Sequence, residues 1–142
     1  MAGYVSPTGN VANSWSNPTN AYDENTGSYA TRNTYTETWS SYLELTHAAL
    51  QCSKVRIWHN SSLSFFTSVT VDVYYGGSWV NIYAGVFAIG AYTEYSVGST
   101  QSITAMRVCY YNAALTTKTA SIAEADFYEE AVVTFIPWAI IM

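Results

Sequence analysis

The chain has 142 residues, of which 49% are hydrophobic, 16% aromatic and only 11% charged, and five Lys and Arg against ten Asp and Glu give a net charge of −5. That length suits one domain, and thirteen Tyr and five Trp exclude a disordered chain. So few cations leave no basic patch to neutralise phosphates, which excludes a nucleic-acid binder, and the shortage of Lys, Glu, Leu and Arg argues against a coiled coil or helical bundle.

The first residues, Met1-Ala2-Gly3-Tyr4-Val5-Ser6-Pro7, have neither a basic start nor an apolar centre and do not read as a secretory leader. Residues 1–41 are rich in Ser, Thr, Asn, Gly and Pro and predict loops and short turns, not helix. From there, side chains alternate with period two, the signature of a half-buried strand. Tyr42 to Thr46 places Leu43 and Leu45 on one face, and Lys54 to Trp58 does the same with Val55 and Ile57. Val69 to Tyr75 alternates most regularly; Gly76-Gly77-Ser78 then signals a hairpin, with Trp79 to Tyr83 returning and Val80 and Ile82 facing inward. Tyr92 to Val97, Ile103 to Tyr111 and Ile122 to Tyr128 complete about seven strands. No helix and no repeat intervenes, so the expected fold is an all-β sandwich or barrel of antiparallel sheets with one wet face.

Cys52 and Cys109 each lie beside or within a predicted strand. They read either as two small buried hydrophobes or as a cross-strand disulfide; with only two histidines in the chain, a thiolate metal site is not expected. After the last strand the chain continues from Ala131 to Met142 as an apolar run broken by Thr134 and Pro137. A bilayer span needs about 20 residues, and no Lys or Arg flanks the run, so a membrane role is disfavoured. The domain division expected is 1–130 for the sandwich and 131–142 for an apolar arm or extra edge strand, with Phe135, Ile136, Trp138, Ile140 and Ile141 as assembly contacts.

The segment from Trp15 to Ala30 carries Ala21, Asp23, Asn25, Ser28 and Tyr29 at spacings that resemble the start of galactose-binding-like, or discoidin-type, domains. The resemblance continues in order through Leu43-Glu44-Leu45, Lys54-Val55-Arg56-Ile57, Val71 to Trp79, Met106-Arg107-Val108 and Ile122 to Tyr128. Glu24 stands where the family often has Gly, and Ala30 where it often has Trp. The resemblance implies a jelly roll and a structural calcium ion, held by Asp23, the carbonyls of Ala21 and Asn25, Ser28, and Glu124 from the last strand. Such an oxygen-only set suits calcium. The alternative is an Asx-type turn closed by Asp23, with Glu124 on the solvent face.

No motif for nucleophilic, metal or phosphate chemistry is present, and the acids are scattered, so no enzyme activity is expected. In this type of fold glycans bind loops at one end, where rings stack on sugars and a few polar groups fix their hydroxyls. Arg32, Tyr35 and Trp39, with His59 and Asn60 from the next loop, are the candidate sugar-binding residues; Tyr35 and Trp39 have the alternative of packing the sandwich end. The main functional expectation is a non-enzymatic virion structural or decoration protein, of a bacteriophage capsid or tail, that self-associates or joins other virion proteins. The alternative is a carbohydrate-binding module for adhesion, extracellular or at a cell surface.

Overall fold

The computed structural model describes residues 2–131. Nine antiparallel strands are found among them: β1 (Gly3–Val5), β2 (Gly9–Val11), β3 (Ala30–Thr34), β4 (Thr38–Trp39), β5 (Leu43–His59), β6 (Phe66–Tyr75), β7 (Ser78–Gly85), β8 (Tyr92–Asn112) and β9 (Lys118–Glu129), with a 3-10 turn at Pro18–Tyr22. The all-β antiparallel expectation holds. The polar N-terminal third departs from its expectation, since it contributes four strands of two to five residues. Such short strands carry no readable period; they form because β5, β8 and β9 offer them ladders to pair with.

Two long strands organise the sandwich. Where two separate strands were expected on either side of residue 50, one strand, β5, runs through both. Its first stretch pairs with β2 and with the second half of β8, Leu43 facing Val108. Irregularities between Thr46 and Leu50 and between Cys52 and Lys54 then bend it. Its second stretch lies between the first half of β8, with Ile57 facing Thr93, and β9, with Ile57 facing Ala125. Bulges are the usual device by which one strand turns a corner and serves two layers. One layer is thus β2–β5–β8–β6–β7 and the other carries β1 and β3 on β9, followed by β5 and β8.

The period-two faces meet inside. Leu43, Leu45, Val55, Ile57, Val69, Val71 and Val73 are all fully buried, as the alternation predicts. Val80 and Ile82 are half-buried, because β7 is an edge strand paired on one side only. The Gly76–Gly77 hairpin forms as expected, joining Tyr75 to its partner Ser78 with φ of +63° and +84°. Both glycines in the left-handed region make the two-residue turn whose twist matches the strands. A Cβ at either position meets nothing within 4 Å, so a side chain there costs backbone strain alone. Gly77→Val is therefore expected to lower stability by about 1–2 kcal/mol in chemical denaturation; an unchanged midpoint would contradict the turn geometry.

Cys52 and Cys109 are buried free thiols, so the disulfide alternative is not realised. Cys52 donates to the carbonyl of Lys54, and Cys109 meets the Thr70 hydroxyl. The apolar arm with Phe135, Ile136, Trp138, Ile140 and Ile141 lies outside the described residues.

Candidate functional site

Three loops converge at the end of the sandwich where β3 stops and β9 begins. They are residues 35–37, residues 60–65 and residues 113–117. Asn112, the last residue of β8, fastens two of them. Its buried side-chain amide donates to the carbonyls of Thr34 (3.1 Å), Tyr35 (3.2 Å) and Thr116 (3.0 Å), and its Oδ1 accepts from the Ala114 amide at 2.9 Å. Thr36 adds a hydrogen bond to the carbonyl of Ala114 at 2.6 Å. The third loop joins when the Ala113 amide donates to the carbonyl of Phe65 at 2.8 Å.

On this frame Tyr35 is 74% exposed and Trp39 44%, and Trp39 stands edge-on to Tyr111 with ring centroids 5.4 Å apart. Tyr35 stands clear of the sandwich end, whereas Trp39 packs there in part, against Tyr111. Leu63 and Leu115 are exposed on the neighbouring loops. Arg32, on β3, donates from Nε to the Ser41 hydroxyl at 3.1 Å. Asn60 is tied by its backbone amide (3.0 Å) and its side chain (3.3 Å) to Ser121, the register partner of Thr31, so it stands one residue from Arg32 across the ladder.

His59 requires a correction. It is not the start of a loop but the last residue of β5, and its side chain is fully buried. Its Nδ1 meets the Tyr110 hydroxyl at 2.5 Å and its Nε2 the Tyr95 hydroxyl at 2.7 Å. In a neutral imidazole one nitrogen donates and the other accepts, so both tyrosines satisfy it. Burial pushes its pKa down from 6.5 to about 3. His59 cannot reach a sugar; it is a polar pin in the core. The sequence reading also passed over Asn112, Leu63, Leu115 and Lys118, whose Nζ sits 3.9 Å above the Phe65 ring.

A second constellation gathers where the early turn covers β9. Glu124 and Asp126 project from the outer face of the sheet, opposite Trp58 and Arg56. The turn after Asn17, which contains the buried Ala21, packs over them. Glu124 is therefore only 1% exposed, not on the solvent face, and neither of its carboxylate oxygens has a hydrogen-bond partner. Burial, then the charges of Asp126 and Asp23, raise its pKa to about 8; the nearby amides of Glu24 and Asn25 offset this slightly without making hydrogen bonds to it. Asp126 pairs with Arg56 at 2.8 Å.

Asp23, Asn25 and Ser28 form the Asx-type turn. Asp23 Oδ1 accepts from the Asn25 amide at 3.0 Å, and the Ser28 hydroxyl reaches both the Asp23 carboxylate and the Asn25 carbonyl. Among the described residues no group of three His, Cys, Asp or Glu side chains is placed to hold a metal, so a cation here would rely on carbonyl and hydroxyl oxygens besides Asp23 and Glu124. That chemistry fits calcium and not zinc. The orphaned Glu124 carboxylate is the group a cation would satisfy.

An apolar groove of about 500 Å³, walled by Ile82, Tyr83, Phe87 and Tyr95, lies between β7 and the first half of β8 and contains none of the sequence-predicted residues.

No family model matches the chain, and no curated protein does. Solved structures match at low identity and high coverage. A family 32 carbohydrate-binding module of AlyQ, in complex with 4,5-unsaturated mannuronic acid, superposes with a TM-score of 0.69 at 17% identity over 88% of this chain and 97% of that one. The family 32 module of NanJ from Clostridium perfringens, in complex with galactose, gives 0.61 at 16% identity over 91% and 93%. An F5/8 type C domain from Bacteroides fragilis gives 0.59 at 12% identity over 92% and 98%. The chain has the jelly-roll-like fold of family 32 carbohydrate-binding modules and F5/8 type C domains.

Proposed function

We propose that this chain is a non-catalytic glycan-binding module that holds sugars at the loop end through Tyr35 and Trp39, with Arg32 and Asn60 as polar contacts. The observation that carries the reading is the pair of exposed rings, Tyr35 on a loop fastened by Asn112 and Trp39 on the short strand that follows it. Aromatic side chains left in water at a braced site supply apolar area at low entropic cost, which is what sugar C–H faces require. The fold supports it, since neighbours of the same architecture are described with galactose or an unsaturated mannuronic acid bound. Absence of catalysis is part of the proposal: His59 is sealed in the core, and His47 Nδ1 is taken by the carbonyl of Ala48.

The virion reading rested on the leaderless start and the apolar arm; the adhesion reading takes its place because matched structures of this fold are carbohydrate-binding modules. A structural calcium ion belongs to the proposal as well. Asp23 and Glu124, with oxygens of Ala21, Asn25 and Ser28, would hold it, and it would supply the positive charge that the buried Glu124 carboxylate lacks.

Screening against a glycan array, followed by titration calorimetry, tests the reading. Trp39→Ala and Tyr35→Ala are each expected to weaken binding about tenfold or more, with the melting temperature unchanged for Tyr35→Ala and lowered by a few degrees for Trp39→Ala, which also loses its edge contact with Tyr111. A protein that binds no glycan, or binds one equally well without both rings, would refute it.

A further inference from the structure

The five cations of this chain are not used alike. Lys54 pairs with Glu94 at 3.1 Å, Arg56 with Asp126 at 2.8 Å and Arg107 with Asp72 at 2.8 Å. Arg32 and Lys118 make no ion pair among the described residues, and both stand at the loop end. Arg32 faces Ala120 and Lys118 faces Thr34 in the β3–β9 ladder. They are therefore diagonal neighbours on one face, with Cα atoms about 7–8 Å apart. The partners they do have are uncharged: the Ser41 hydroxyl on Arg32 Nε and the Phe65 ring beneath Lys118. The terminal guanidinium nitrogens and the ammonium keep their charge unmatched.

Acids avoid this end. Glu37 is the single acid in the segments that build it, 31–39, 60–65 and 112–119. Asp23, Glu24, Glu124 and Asp126 gather instead around the early turn, and Glu124 is six residues along β9 from Lys118, about 20 Å at strand spacing. With a screening length of about 8 Å in physiological salt, a ligand at the loops experiences the two local cations and not the net charge of −5.

We infer that the loop end takes an acidic glycan, its uronate carboxylate set against Arg32 and Lys118 while the sugar ring lies on Tyr35 or Trp39. A guanidinium offers a planar pair of donors to a carboxylate, and an ammonium adds an undirected charge. This inference rests on the glycan-binding reading.

The test measures affinity for galacturonate, glucuronate and mannuronate oligomers and for the carboxyl-reduced form of each, which keeps the ring and its hydroxyls but loses the charge. At least one acidic oligomer is expected to bind ten- to a hundredfold more tightly than its reduced form. Lys118→Gln should remove about tenfold of that preference without changing affinity for the reduced oligomer; Arg32→Gln should remove a similar share of the preference while also weakening the reduced oligomer, and Arg32→Lys should restore part of the preference. Reduced oligomers binding as well as acidic ones would overturn the inference and leave glycan binding standing, as would a preference that survives both substitutions. Silence across this whole panel overturns the inference too; only a blank glycan array removes the glycan reading with it.

Discussion

In calcium-free buffer the protein is expected to lose stability as pH climbs from about 6.5 to about 8. The cause is Glu124, whose carboxyl is ordinary in the unfolded chain (pKa 4.5) and raised to about 8 in the fold. Between those values the folded state holds a proton that the unfolded state has released. Stability from this group is therefore complete at low pH and is lost as pH rises through the folded pKa. His59 acts oppositely and lower down: its pKa falls from 6.5 to about 3, so its contribution is complete above 6.5 and lost on acidification. The window above pH 6.5 thus separates the Glu124 carboxylate from His59. A unit of pKa shift is worth about 1.4 kcal/mol, so the part of the shift expressed between those two pH values amounts to about 1.5 kcal/mol, or about 5 °C in Tm. Added calcium should reverse most of it. Glu124→Gln, which keeps the shape and discards the charge, should melt at nearly constant temperature across this range and respond little to calcium. A wild-type Tm indifferent to both pH and calcium would remove the cation from the account.

The second large effect is expected at Asn112. Asn112→Ala strips the carbonyls of Thr34, Tyr35 and Thr116 of their donor and the Ala114 amide of its acceptor in one step. Each buried polar group left without a partner costs about 1–3 kcal/mol; with some groups recovered by water, the variant should lose about 3 kcal/mol in urea unfolding. Glycan affinity, measured well below the variant's melting point, should fall at least tenfold, because the loop carrying Tyr35 is no longer fastened. Asn112→Asp separates the two roles of the amide, keeping an acceptor for Ala114 while losing every donor, and should resemble the alanine variant. Undiminished binding by either folded variant would mean that Asn112 has no part in positioning the site.

The central strands were legible because their alternation is strict: Val55 and Ile57, or Val69, Val71 and Val73, point inward as their spacing requires. The fusion of four expected strands into β5 and β8 was not legible: the bends of β5 are bulges with no turn residue to announce them, and Gly98 of β8, at φ +96°, reads in sequence as a turn between two strands although it marks an irregularity within one. His59 could have been placed correctly. Counting by two from Val55 through Ile57 reaches it, and the polar residues after it, Asn60 to Ser62, hid the continuation. Glu124 shows a different limit. Alternation puts it on the outer face, and it is there; what alternation cannot foresee is the cover supplied from a hundred residues earlier by a turn with left-handed Asn17 and Glu24. Tyr35 and Trp39 were picked by residue type alone, and both rings stand partly in water at the loop end. Asn112, Lys118 and the two exposed leucines were missed, because loop residues have no period and meet only when the strands beneath them pair.

The two unbridged thiols give the molecule built-in reporters of breathing. Cys52 sits where β5 runs between β8 and β9, and Cys109 where β8 runs beside β6. Burial raises the pKa of both, so neither reacts from the closed state. Alkylation of each sulfur, followed separately by mass spectrometry, would time the parting of its own ladder and reveal whether the two layers open together or one before the other.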